Sequence, residues 1–261
     1  LFRSNTNSDS EVLLNVLAHE LERGSKGARL DPATIFAAVS NVHRRCKGAY
    51  AVVAMIAGHG VLAFRDPFGV RSLYYAEHQG VFYFASEIKQ LLAIPGFPRA
   101  VDDAAIHKYL TFSFVPGEDA PLKGVRRLLP RRVATYENRR LAITQYFELR
   151  EALDGTLTDR GEAARLIGDL CKAAVVKRLQ GAENIGLFLS GGLDSSSVAL
   201  WLKEAGANVN AFTLDFGDKS VEKDRAIEVA NALKIPLHFV KVGGEDLLPV
   251  LPDLAWRLDL P

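Results

Sequence analysis

Cysteine is scarce in this chain: 261 residues hold two, Cys46 and Cys171. Two such distant thiols exclude a disulfide framework and a cysteine-rich zinc site, and a reduced, cytoplasmic compartment is the expectation. Long apolar runs are missing as well. The most apolar stretch, Ala49 to Ala57, falls well short of the ~18 residues that a membrane helix needs, so no membrane partner is expected. Charge of either sign is not in excess, because 32 Lys and Arg face 31 Asp and Glu for a net +1. That balance argues against a polybasic nucleic-acid binder and against an acidic tail. Arg126-Arg127 and Arg131-Arg132 lack interleaved aromatics and read as a solvated loop. The six histidines show no H-x-x-x-H or H-E-x-x-H spacing. The first residue is Leu1, no leader pattern explains it, and the chain stops at Leu260-Pro261 after a segment that reads as helix or its exit. We read the sequence as a fragment cut at both ends.

What is present is ordinary globular material, 48% apolar and 24% charged, enough for about 1.7 domains at roughly 150 residues each. Ser8-Asp9-Ser10-Glu11 has the spacing of a capping box, and Val12, Leu13, Val16, Leu17 and Leu21 make an apolar stripe behind it. Asp31-Pro32 opens a second helix with Ile35, Phe36, Val39 and Val42 inward. Residues 49–56 read as a buried strand, followed by strands at 61–64, 73–76 and 81–85 and a short helix at 86–92. Residues 104–110 read as helix, 126–132 as loop, and 133–136 with 141–144 as a hairpin. A domain boundary is expected near 150, giving domains at 1–149 and 150–261.

The second half alternates helix and strand: helices at 163–179, 195–205 and 222–233, strands at 185–189, 209–214 and 237–241. Short apolar strands separated by amphipathic helices imply parallel βαβ units, whose ligands bind beyond the carboxyl ends of the strands. At one such end stands Ser190-Gly191-Gly192-Leu193-Asp194-Ser195-Ser196-Ser197. Adjacent glycines allow a sharp turn and close backbone approach to a ligand, and a helix N-terminus offers free N–H groups and partial positive charge to an anion. Asp194 does not suit a bare phosphate, so its carboxylate suggests a bridging Mg²⁺. On glycine and serine alone, a plain strand–turn–helix joint with serine capping explains the segment equally well. The lysine of a Walker A loop is missing.

Taken whole, Ser190–Ser195 resembles the SGGxDS pyrophosphate loop of the ATP-pyrophosphatase superfamily. By that resemblance Ser190, Gly191, Gly192, Asp194 and Ser195 would hold pyrophosphate and metal, and main-chain groups at Phe188 and Leu214 would hold adenine. For those two side chains, plain strand core is at least as good a reading. Phe212–Gly217 with Val221–Ala230, Phe64-Arg65-Asp66-Pro67-Phe68-Gly69-Val70-Arg71, Phe84–Lys89 and Lys123-Gly124-Val125-Arg126 are similar to segments of the glutamine-hydrolysing asparagine synthetase family, over residues 64–261. Residues 1–63, through Ser8–Asn15, Ala18–Leu21 and Gly48–Ile56, look more like amidophosphoribosyltransferase. Both families share a class II glutaminase domain. A natural intermediate and a join of two genes at Arg65-Asp66-Pro67 both fit.

The resemblance implies a partial N-terminal-nucleophile glutaminase domain followed by a partial Rossmann-like parallel α/β ATP-pyrophosphatase domain. It implies ATP and Mg²⁺ as cofactors, and glutamine, aspartate and ATP as small-molecule partners, in a homodimer. Asp9 would bind the glutamine ammonium, although helix capping by Ser8 and Glu11 explains the same segment and both can hold together. Asp259 resembles an acidic position near Mg²⁺-pyrophosphate, but relatives often carry Glu where this chain has Leu260. The glutaminase nucleophile of these families is an N-terminal cysteine acting through its own amino group. Cys46 and Cys171 are not at that position and read as small core residues. No catalytic residue is therefore named, and the chain by itself is not expected to hydrolyse glutamine. The expected activity of the intact protein is asparagine synthesis through an aspartyl-adenylate. The alternatives are an amidophosphoribosyltransferase and a nucleotide-binding remnant without turnover.

Overall fold

The computed structural model describes residues 8–25, 30–149, 155, 157–179, 182, 184–217 and 221–259. Contacts group the chain into two compact units, Leu1–Arg150 with Leu254–Pro261, and Glu151–Asp253.

The first unit opens with helices α1 (Asp9–Ser25) and α2 (Pro32–Arg45). α2 starts where Asp31-Pro32 predicts: the Asp31 carboxylate accepts from Thr34 N at 2.6 Å, and proline in the first turn needs no N–H partner. Strands β1 (Ala51–Ile56), β2 (Gly60–Arg65), β6 (Arg132–Glu137) and β7 (Arg140–Gln145) form one antiparallel sheet in the order β1-β2-β6-β7. Strands β3 (Tyr74–His78), β4 (Val81–Ala85) and β5 (Val125–Arg127) form a second, ordered β4-β3-β5. Strand alternation then assigns the faces. Leu62 and Phe64 join Val16, Leu17, Val39 and Val42 in a core beneath the two helices, while Ala63 and Ala134 join Leu73, Tyr75 and Leu128 between the sheets. On the far side of the second sheet, Tyr74, Ala76 and Ala85 pack with Ile88 and Leu91 of the short helix α3 (Ile88–Leu91). Helix α4 (Asp103–Phe112) is capped by Asp102, whose carboxylate accepts from Ala104 N and Ala105 N.

Two expectations are corrected here. The strand expected to be buried, β1, is half exposed: Val52, Ala54 and Ile56 pack against the helical core, while Val53 and Met55 face outward, Met55 at 86% exposure. β1 is an edge strand of an antiparallel sheet, so one face stays open. The basic stretch expected to be loop begins with β5, paired to β3 through Tyr74 with Arg127 and Tyr75 with Arg126. Its arginines are anchored by partners: Arg126 pairs with Asp119, and Arg127 donates to the carbonyls of Val115 and Gly117.

Between β2 and β3 the chain closes a loop on itself. The buried Arg65 guanidinium donates to the carbonyls of Arg71, Leu128 and Gly69 at 2.5–2.6 Å. The buried Asp66 carboxylate accepts from the backbone N–H groups of Tyr50, Phe68 and Val70. The Tyr146 hydroxyl donates to the Arg65 carbonyl.

The second unit holds α5 (Arg160–Arg178), β8 (Asn184–Phe188), α6 (Leu193–Glu204), β9 (Asn208–Asp215), α7 (Val221–Leu233) and β10 (Leu237–Lys241). The strands are parallel in the order β10-β9-β8, as their alternation with helices predicts. Leu189, Ala199, Leu202, Val209, Ala211, Ala226 and Ala230 form the core under α6 and α7. Helix α8 (Gly244–Leu258) follows and runs through Pro249 and Pro252. Cys46 and Cys171 are both half-buried free thiols. No helix among the described residues is long and apolar enough to cross a membrane.

Candidate functional site

Because β8, β9 and β10 run parallel, their carboxyl ends share one edge of the sheet, where the connecting loops are free to form a site. Leu189 is buried, and its N–H donates to the Phe212 carbonyl at 2.8 Å, so the sheet fixes the point from which the Ser190 loop leaves. Gly191 then adopts φ +71°, and a Cβ there would lie 2.6 Å from the carbonyl carbon of Arg225 and 2.7 Å from Ala226 N. Glycine is required on both counts: the left-handed backbone, and contact with the backbone of α7. The loop is pinned to its neighbouring helix through that contact.

Serines hold the turn from within, by long bonds. Ser190 N–H donates to Ser195 Oγ at 3.3 Å, the two hydroxyls lie 3.1 Å apart, and Gly192 N–H reaches Ser190 Oγ at 3.4 Å. Gly192 is the N-cap of α6, and among the described residues no side chain caps it. The first N–H groups of α6 are thus left without a side-chain acceptor, at the end of a helix whose dipole favours an anion. The Ser196 hydroxyl is buried and has no hydrogen-bond partner. Asp194 stands in the first turn of α6, exposed, and among the described residues it makes no hydrogen bond or ion pair. Donors for an anion and a free carboxylate for a cation are therefore presented side by side. No group of three or more His, Cys, Asp or Glu able to cage a metal occurs among the described residues.

Phe188 closes β8 at 81% exposure, and Leu214, next to the end of β9, is 42% exposed. Neither side chain is strand core, which corrects the alternative drawn from the sequence. Two residues of this edge carried no role in that reading. Asp215 ends β9, largely buried, and its carboxylate accepts from Lys223 Nζ at 2.8 Å and Gly217 N–H at 3.0 Å. The ammonium of Lys223 first, then the Gly217 amide, hold this carboxyl below the usual aspartate range. An acid closing a strand, with a lysine in the helix after it, was the available signal.

The two remaining candidates lie in the first unit. Asp9 opens α1 and is exposed; it lines a cavity of about 1050 Å³ together with Leu13, Arg45, Tyr50, Val53 and Arg71. Burial raises the Tyr50 hydroxyl to about 12, so it stays protonated. Asp259 has its carboxylate on the backbone N–H groups of Ile88 and Lys89, at the start of α3. Leu260, the neighbour that weakened its assignment, lies outside the described residues.

Comparison with known proteins divides along the same chain. Residues 166–261 match the family model described as asparagine synthase, and residues 33–147 match the one described as glutamine amidotransferase domain. Asparagine synthetase (glutamine-hydrolyzing) 1 of Bacillus subtilis is 27% identical over 260 residues, covering 98% of this chain and 38% of its own length. A Mycobacterium bovis protein described as a glutamine-hydrolyzing asparagine synthetase is 32% identical over 206 residues, 76% of this chain and 31% of its own. Amidophosphoribosyltransferase of Pseudomonas aeruginosa is 52% identical over 98 residues, 36% of this chain and 19% of its own. The chain spans well under half the length of each of these relatives.

Proposed function

We propose that this chain, which joins a glutamine amidotransferase region to an asparagine synthase region, serves ATP-dependent, glutamine-hydrolysing amide synthesis, with aspartate as acceptor and asparagine as product. In the intact protein, glutamine hydrolysis supplies ammonia. A side-chain carboxylate oxygen of aspartate attacks the α-phosphorus of ATP, the bond to the β-phosphate oxygen breaks, and pyrophosphate leaves. Ammonia then attacks the activated carbonyl, and AMP departs with its electron pair. The chain's own part in this scheme is electrostatic. Charge builds on the leaving pyrophosphate, and preorganised donors aimed at it lower the barrier. Gly191 allows the backbone to turn there, the uncapped N–H groups of α6 and the Ser190 and Ser195 hydroxyls donate, and Phe188 and Leu214 flank the adenine by their main chain. Mg²⁺, when bound, would neutralise phosphate charge, and Asp194 would hold it. Asp9 would pair with the ammonium of glutamine.

The observation that carries this reading is the Ser190–Ser195 turn itself: an uncapped helix start and an unpaired Asp194 at the carboxyl edge of a parallel sheet, within the segment that matches the asparagine synthase model. The test is pyrophosphate–ATP exchange in the full-length protein. Asp194→Ala abolishes exchange on this account, and unchanged exchange overturns it. A second reading, amidophosphoribosyl transfer, is favoured by the 52% identity over 98 residues. It calls for a phosphoribosyl-pyrophosphate loop with paired acids after a strand, whereas the loop at hand pairs glycines and serines with a single acid.

A further inference from the structure

We infer that Arg225, near the start of α7, is the cation that meets the pyrophosphate at the Ser190–Ser195 loop; this deepens the nucleotide reading and rests on it. The geometry comes first. The stem of Arg225 leaves α7 against Gly191, since a Cβ built on that glycine would collide with the Cβ of Arg225 and with the backbone of residues 225 and 226. None of the hydrogen bonds described within the turn comes from a basic side chain.

Charge accounting points the same way. A pyrophosphate leaving with one Mg²⁺ still carries net negative charge, and Asp194 adds another negative charge at the start of α6. The helix end supplies only about half a positive charge. Two basic residues stand near the start of α7, and they differ in commitment. Lys223 is tied to Asp215 at 2.8 Å. Arg225 is exposed and, among the described residues, makes no ion pair or hydrogen bond, even with Glu222 one turn earlier on the same helix. An uncommitted guanidinium is also the group whose planar fork matches two phosphate oxygens at once. Lys223 thus neutralises the acid that ends β9, and Arg225 remains for the ligand.

The experiment is calorimetric titration of the full-length protein with Mg-pyrophosphate, Mg-ATP and AMP. Arg225→Gln weakens Mg-pyrophosphate about 10- to 100-fold, as loss of a charged hydrogen-bonding group does, and Mg-ATP by a similar factor. AMP binding stays within about twofold, because AMP lacks the two phosphates that depart. Arg225→Lys restores part of the loss. Lys234→Gln, which removes the same charge just past the far end of α7, changes nothing, since it lies about 13 Å further along the helix and beyond a Debye length. Wild-type affinity for Mg-pyrophosphate in Arg225→Gln overturns the inference and leaves the loop reading standing. Equal weakening of AMP and pyrophosphate assigns Arg225 a merely structural role and also overturns it. A wild-type protein that binds neither ATP nor pyrophosphate overturns the reading of the loop, and the inference falls with it.

Discussion

Two loops of this molecule use similar residue types to opposite ends. Arg65–Arg71 and Ser190–Ser195 each follow a strand, each turns through a glycine at positive φ, and each carries an aspartate. In the first, the two buried charges are used internally: Arg65 on three carbonyls and Asp66 on three amides. In the second, among the described residues, Asp194 is exposed and unpaired, the helix start has no side-chain cap, and the serines bond to one another at 3.1–3.3 Å. A closed hydrogen-bond inventory marks a loop that shapes the protein. An open one, on a rigid base, marks a loop prepared for something else.

The largest expected effect breaks the open loop without touching the fold. Asp194→Ala lowers pyrophosphate–ATP exchange at least about 100-fold, while the thermal midpoint stays within a degree or two of wild type, because an exposed, unpaired carboxylate is removed. A large drop in midpoint would mean that this loop, like Arg65–Arg71, is structural. Arg65→Met does the reverse. It strands three carbonyl acceptors and costs about 3 kcal/mol or more of stability, read by denaturant unfolding. Stability near wild type would show that the bonds of Arg65 are replaceable.

Glycine sharpens the contrast further. Gly191→Ala combines left-handed strain of about 1–2 kcal/mol with a collision against the α7 backbone, so stability and exchange fall together, by about 2–4 kcal/mol in stability. Gly69→Ala carries the same left-handed strain but meets side-chain atoms, Pro130 Cγ at 2.5 Å and Arg65 Nη2 at 2.8 Å, rather than helix backbone. It is expected to be the milder of the two, and the opposite ranking in unfolding experiments would contradict the packing described for Gly191. The smallest effect is read in acid. The carboxyl of Asp215 is held low by Lys223 and Gly217, so its contribution to stability is complete above the unfolded value of about 4 and is lost as pH falls through the lowered folded value. Asp215→Asn flattens that acid limb, and an unaltered limb would show that the pair contributes nothing.

Much of this frame could be read from residue patterns, and the exceptions have physical causes. Asp31-Pro32 placed the start of α2, and the apolar run Leu237–Lys241 coincides with β10. The segment Arg126-Arg127 hid a strand because polar side chains masked backbone pairing to Tyr74 and Tyr75. The run 49–56 suggested burial on both faces, but an edge strand buries one, and Val53 and Met55 show the other. Phe188 and Leu214 read as core because aromatic and branched residues favour strands; at the carboxyl edge of this sheet they are exposed. Ser190–Ser195 was identifiable as a strand-to-helix turn because its glycines and serines are contiguous. Asp215 carried only the weaker signal of an acid ending a strand before a lysine-bearing helix, and Arg225 carried none, since its relation to that turn exists only once β8, β9 and α7 are packed together.

The most direct measurement supplies the full-length protein with ATP, Mg²⁺ and glutamine and follows AMP and pyrophosphate with and without aspartate. The account predicts that the two products appear together, in equal amounts, and only when aspartate is present. Pyrophosphate released without AMP when phosphoribosyl pyrophosphate replaces ATP in a parallel assay would make the protein a transferase, and ATP bound but never cleaved would reduce the Ser190–Ser195 loop to a binding site; either result contradicts the synthetase assignment.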